Sequence, residues 1–424
     1  MVTQRDHLAR PVEARFAAAL AGLLFVSILL LWAPGRWAVS LYQAGVFAIA
    51  ILWVARAPRW QWSGVSALLG AAVAWGLIQL LFNRTVYRWE TWDAVLTWST
   101  QLVCFLLGSQ ILAERRIRNG FLQAVFYFGF ALSVVSVLQL FTAEGNVFWL
   151  FPSGYKDLVL GPFVYHNQFA AFVELVFPLA VVAALRDRNR ALIYAGMAAA
   201  LYASVIASAS RAGAALVTLE LIVILAVALA RGHMSRRARD AGRKPGGRPE
   251  GLAPPGLALV SFAVLVVCFG AVVGWQTLWR RLQLPDIFNT RRELLSSSLD
   301  MVRARPGMGF GLGTWSTAYP AFAYSDDGLF ANQAHNDWAQ WAAEGGLPFF
   351  FLMLAIAIWS LKPALDSLWG VGILAVFLHS LVDYPVQRPA LGGLFFVLLG
   401  ALAASRADRT MRSASSADEA TAVM

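Results

Sequence analysis

The chain has 424 residues, of which 59% are hydrophobic and 14% charged, against roughly 25% charged in soluble domains. With 17 Trp and 28 Phe among them, too few polar residues remain to cover a water-soluble fold, so composition excludes one and indicates a polytopic membrane protein. The formal net charge is +10, but Lys and Arg sit in short clusters between apolar runs, as topology signals do, and not as a nucleic-acid surface.

A transmembrane helix needs about 20 apolar residues, and twelve runs qualify: 16–33, 37–55, 63–82, 91–112, 121–141, 162–185, 191–209, 212–230, 256–279, 346–361, 365–382 and 388–404. No small-residue cleavage site follows the first run, which reads as a span and not as a signal peptide. With both termini cytoplasmic, 22 of the 34 Lys and Arg lie on the inner side, and the short loops agree throughout. The expected fold is therefore an all-α polytopic membrane protein of about 12 transmembrane helices, a single membrane domain over 1–404. Residues 231–255, RGHMSRRARDAGRKPGGRPEGLAPP, read as a disordered cytoplasmic linker, and 405–424 as a disordered cytoplasmic tail. The connection 280–345, outside the membrane between spans nine and ten, mixes a helical pattern, a glycine-rich turn and aromatics. A loop of that length is more often functional than idle. Cys104 and Cys268 both fall inside apolar spans and offer neither a disulfide framework nor metal-ligand spacing.

Polar residues at a membrane mouth are the informative ones. At the outer end of the sixth span, His166, Asn167 and Gln168 open a helix with Glu174 two turns down. They form either a polar start capped by Asn167 or part of a ligand site. Arg211, in SASRAGAAL, stands between spans seven and eight. It either snorkels to headgroups or, in the space left by Ala209, Ser210, Ala212 and Gly213, meets a ligand. In TRRELLSSSLDMVRAR (290–305), Arg291, Leu294, Leu295, Ser298 and Val302 share one face of a helix and Arg292, Ser296 and Arg303 another. Arg291 thus lies on the apolar side, where charge is costly unless it meets an anion; a headgroup or Asp300 is the other choice.

The glycines of PGMGFGLGTW (306–315) permit close approach and positive φ, but no Lys-Ser/Thr pair follows, which excludes a nucleotide loop. In AHNDWAQWAAEGGLP (334–348), Asn336 and Glu344 fall roughly on one helix face and His335 opposite Glu344. This histidine is either interfacial and structural or a handler of a sugar hydroxyl and its proton. The Asp383-Tyr384-Pro385 corner is a weaker case of the same kind. There is no HExxH or CxxC, and the acidic pair Asp326-Asp327 reads as a turn, so neither a metal nor a cofactor is expected.

Four of these pieces, in order over roughly residues 160–350, resemble the signature of the O-antigen ligase and polymerase superfamily: GPFVYHNQFAAFVELVFPLA, SASRAG, TRRELLSSSLDMVRARPGMGFGLGTW and AHNDWAQWAAEGGLPFF. The resemblance implies a GT-C-like glycosyltransferase of the bacterial inner membrane, with its active site on the periplasmic face and 280–345 as a long helical periplasmic loop. Its donor is a glycan on undecaprenyl diphosphate; its acceptor is lipid A–core or another surface hydroxyl for a ligase, or a second lipid-linked repeat for a polymerase. The family's two essential arginines fall on Arg211 and Arg291, and its essential histidine on His335. Leu295 stands where the family often has Trp, and Asp337-Trp338 replaces its usual Tyr after His-Asn.

The chemistry expected is metal-independent displacement with inversion, Arg211 and Arg291 holding the departing diphosphate and a neutral His335 taking the acceptor's proton. Asn336, Glu344, His166 and Asn167 are the further expected contacts to diphosphate and glycan. Beyond the donor and acceptor, the expected partners are membrane lipids. The reading from another class is a polysaccharide transporter or flippase. Carriers, however, place ionisable groups near the midplane and reuse a repeat, whereas polarity here gathers at the outer mouth.

Overall fold

In the computed structural model, the residues described are 4–422, apart from 34, 57–61, 156–157, 241–255, 275, 284–288, 326–327 and 329. The helices in order are α1 (Gln4–Leu29), α2 (Arg36–Arg56), α3 (Gly64–Leu81), α4 (Arg88–Ile111), α5 (Arg115–Thr142), α6 (His166–Arg186), α7 (Ala191–Ala207) and α8 (Arg211–Asp240). Then follow α9 (Gly256–Val273), α10 (Gln276–Gln283), α11 (Asn289–Ala304), α12 (Trp315–Ala318), α13 (Asp337–Ser367), α14 (Val371–His379) and α15 (Pro389–Ala422). Between α5 and α6, β1 (Asn146–Val147) and β2 (Phe151–Pro152) pair antiparallel, a small exception to the all-helical expectation.

Nine helices among the described residues are long and apolar enough to cross a membrane, and Ala191–Ala207 and Phe262–Val272 are shorter apolar helices. The chain is a multi-pass, mostly helical membrane protein. The expected span 365–382 is instead α14. Its nine residues rise only about 13 Å, against a hydrocarbon core of about 30 Å. Leu368 takes φ 60 and Gly370 follows, so the helix starts at Val371; it ends at His379, where residues 380–388 turn into a corner.

Helix also continues into both segments expected to be disordered, α8 to Asp240 and α15 to Ala422. From 231 to 240 the chain holds one glycine and no proline, and its Gly/Pro-rich part starts at Gly242, so nothing local stops the helix before then. The rest of the expected linker, 241–255, lies outside the described residues.

The chain divides into two compact units: Met1–Phe121, Pro285–Pro363 and Phe377–Met424 make the first, and Leu122–Leu284 with Ala364–Val376 the second. In the first, α4 and α15 run parallel at backbone contact. A Cβ on Gly108 would strike the Val397 carbonyl, and one on Gly400 the Phe105 carbonyl. The Gln101 side chain reaches the Pro389 carbonyl at 3.4 Å. α15 therefore begins about 15–20 Å along α4, which recesses the corner before it. The Trp98 ring, ten residues into α4, packs edge-on against Trp341 of α13, Phe349 and Phe396.

α13 is bent at Gly346, which takes φ 70 with its backbone against Pro306 and Gly307 carbonyls. The bend folds the first nine residues of the helix back. The Trp338 and Phe350 rings meet edge-on with centroids 5.8 Å apart, where twelve residues of straight helix would separate them by about 18 Å. α11 buries Leu294, Ser297, Ser298 and Met301 while Arg292, Ser296 and Arg303 face out. The amphipathic pattern read from the sequence is present, centred slightly later.

In the second unit, α6 is buried along nearly its whole length. Close approach explains why: Gly129 of α5 admits Val176, and Gly213 of α8 admits Ala170.

Candidate active site

The first unit brings together three groups that lie far apart in the chain. Arg291 opens the buried stripe of α11, and its Nη2 donates to Asp383 Oδ2 at 3.2 Å. The other carboxylate oxygen of Asp383 stands 3.9 Å from His335 Nδ1 and accepts the Tyr384 N–H at 2.9 Å. Asp383 is only 2% exposed, whereas the Arg291 and His335 side chains are each 29% exposed. A buried carboxylate thus faces two basic groups that both reach an accessible surface.

His335 holds φ 50, a left-handed conformation a side chain adopts only when its surroundings impose it. Its ring meets Tyr384 edge-on at 4.9 Å. Burial pushes its pKa below the usual 6.5, the Asp383 charge pulls it up and the Arg291 charge pushes it down, with a net lowering. The imidazole is therefore neutral at pH 7 and able to accept a proton. Asp300, the sequence's other partner for Arg291, binds Arg303 at 2.6 Å and the Tyr324 hydroxyl instead.

Two residues expected to contact glycan are engaged inside the unit. Asn336 caps α13, accepting the Ala339 N–H at 2.9 Å while donating to the Leu381 carbonyl at 2.7 Å. Glu344 accepts from the Gly313 N–H (2.9 Å), the Trp315 N–H (3.2 Å) and the Gln340 amide (2.9 Å). Both groups tie the loop to the membrane helices, a geometry that gives glycan contact no support. The glycine-rich turn is shaped for the same attachment: Gly309 (φ 66) lies against the Glu344 carbonyl, where any Cβ would collide. Gln79 of α3, which sequence reading missed, stitches this turn from below. It donates to the Met308 and Glu344 carbonyls at 2.6 and 2.9 Å and accepts the Leu312 N–H at 3.0 Å. Its only sequence signal is an amide in an otherwise apolar run.

The second unit holds Arg211, His166 and Asn167. Ala209 turns the chain with φ 54, and Ser210 caps α8 by accepting the Gly213 N–H at 3.1 Å. Arg211 is then the first residue of α8, half-buried. A cation opposes the positive end of a helix dipole, whereas cation and helix start together suit an anion. His166 opens α6, and the Asn167 amide donates to the Tyr165 hydroxyl at 3.0 Å. The N-cap of α6 is Tyr165, so Asn167 is not the cap.

Residues 195–354 match the family model described as O-antigen ligase. The match supports the resemblance to the O-antigen ligase and polymerase superfamily read from the sequence. The matched stretch contains Arg211, Arg291 and His335 and ends before Asp383; the HNQF piece of α6 precedes it. Comparison with curated proteins gives no match. The match supports an O-antigen ligase- or polymerase-like function in general and, through the family, glycan and lipid-linked substrates.

Proposed function

We propose that the chain is an O-antigen ligase-like transferase. It moves a glycan from undecaprenyl diphosphate to an acceptor hydroxyl at the periplasmic face of the bacterial inner membrane, with inversion and without a metal. The observation that carries this reading is the bridge in which Asp383 faces Arg291 on one side and His335 on the other. In the reaction the acceptor oxygen attacks the anomeric carbon, the bond from that carbon to the phosphate oxygen breaks, and the diphosphate leaves with the electron pair. Arg291, its plane fixed by Asp383, offers the leaving phosphate charge-assisted, directional bonds. These speed the reaction to the extent that they strengthen as charge develops. His335 takes the hydroxyl proton, and the adjacent Asp383 carboxylate stabilises the imidazolium that forms. Arg211, in the second unit, stays in this reading an anion-binding residue carried over from the resemblance, supported by its own anion-suited helix start.

Guanidinium groups supply the positive charge a metal would otherwise bring. The test uses purified protein in nanodiscs with the lipid extract of a strain deleted for the gene. Attached glycan and free undecaprenyl diphosphate should appear together in the presence of a chelator. Loss of activity that added metal restores would overturn the metal-free reading; donor left unconsumed in nanodiscs but moved across the bilayer of sealed proteoliposomes would make the protein a transporter.

A further inference from the structure

His335 and Asn336 stand just before the first turn of α13. Asp337 and Trp338 follow, and the structure shows what they do. Asp337 is fully buried and meets the 380–386 corner at four points. Its N–H donates to the Ser380 and Asp383 carbonyls at 2.9 and 3.1 Å. Its Oδ2 accepts the Ser380 hydroxyl at 2.8 Å and the Val386 N–H at 3.2 Å. Ser380 and Val386 lie three residues to either side of Asp383, so one carboxylate oxygen grips both ends of the segment that presents the bridging aspartate. Asn336 adds its bond to the Leu381 carbonyl, and the Trp338 indole donates to the Phe377 carbonyl at 2.9 Å.

We propose that Asp337 is a positioning residue for the transfer reaction: by pinning the 380–386 corner to the start of α13, it sets Asp383 between His335 and Arg291. The inference rests on the function proposed above and assigns Asp337 no contact with substrate. The corner needs such a pin. It follows a nine-residue helix that ends inside the protein, and its Asp383 stands 3.9 Å from the imidazole, beyond hydrogen-bond length. Electrostatic coupling there depends on position alone, and a shift of about an ångström changes catalysis strongly. The charged and titratable groups facing His335 are Arg291 from α11 and Asp383 from the corner, with the Tyr384 ring beside it.

An acceptor oxygen is what the geometry requires at 337, and an amide supplies one. Asp337→Asn should therefore keep at least half of wild-type kcat. Asp337→Ala should lower kcat tenfold or more while KM for the donor stays within twofold. The acid limb of its pH profile should also move to lower pH, as in Asp383→Asn, because the displaced Asp383 charge no longer holds the His335 pKa up. The assay uses full-length protein in nanodiscs with the lipid extract of the deletion strain. Ser380→Ala, which removes one of the two side-chain bonds, should give a smaller change in the same direction and serves where Asp337→Ala does not accumulate. A wild-type kcat and acid limb in Asp337→Ala (or in Ser380→Ala, where that variant stands in), or equal inactivity of Asp337→Asn and Asp337→Ala, would overturn the proposal. His335→Ala run in parallel separates the two ideas. If it transfers normally the proposed function falls; if it is inactive while Asp337→Ala is normal, only the positioning role falls.

Discussion

Replacing Asp383 removes the buried carboxylate that faces both basic groups of the candidate site, and the structure gives the size and sign of the effect. Its bond to Arg291, 3.2 Å long, is charge-assisted and contributes about 1.5–3 kcal/mol, against about 0.5–1.5 kcal/mol for a neutral hydrogen bond. If that orientation is needed in the transition state, Asp383→Ala should slow transfer by about 10- to 150-fold. Asp383→Asn keeps an acceptor and should lose about 5- to 12-fold.

The pH profile carries the sign. Asp383 raises the His335 pKa and Arg291 lowers it, so Asp383→Asn should move the acid limb to lower pH and Arg291→Gln should move it to higher pH. The assay is glycan transfer by purified protein between pH 5 and 8, the range in which an imidazole titrates, at matched amounts of folded enzyme. Activity within twofold of wild type in Asp383→Ala would refute the reasoning, as would shifts of the acid limb in the same direction for Asp383→Asn and Arg291→Gln.

Arg291→Lys should lose about 10²–10³-fold in kcat, the range for removing one transition-state donor, because an ammonium keeps charge but not the planar fork; full activity would count against a guanidinium role. His335→Ala should accumulate lipid-linked glycan in cells at normal protein level, read by extracting the lipid fraction, and undiminished transfer would remove His335 from the chemistry. Glu344→Ala leaves the Gly313 and Trp315 N–H groups without their acceptor, at about 1–3 kcal/mol each. Its thermal midpoint in detergent should therefore fall while KM holds; an unchanged midpoint with a raised KM would make Glu344 a sugar contact after all.

How much of this was legible in the chain depends on how local the signal was. The α11 stripe lies within a few residues of its cause, and helical periodicity displays it. Arg291 was legible as a costly cation on an apolar face, but its partner was not. Asp383 is 92 positions away in sequence, marked there only as a weak polar corner just past an apolar run, with nothing to pair it with Arg291. The same run, 365–382, has the composition of a transmembrane helix and fails to form one because Leu368 and Gly370 delay its start and the Ser380–Asp383 turn ends it. Gln79 was hidden for the same reason: its partners at 308, 312 and 344 belong to a loop more than two hundred residues later. Glu344 and Asn336 were found as polar residues in the right place, but spacing alone did not reveal that their hydrogen-bonding capacity is directed to the protein's own backbone.

The proposed function turns on whether Arg291 holds a lipid diphosphate. Direct binding of undecaprenyl diphosphate to the purified chain in nanodiscs measures this without requiring turnover. The account predicts that Arg291→Gln weakens binding at least tenfold, about 1.4 kcal/mol, while His335→Ala binds as tightly as wild type. Unchanged affinity in Arg291→Gln, with the protein folded and transfer lost, would contradict it.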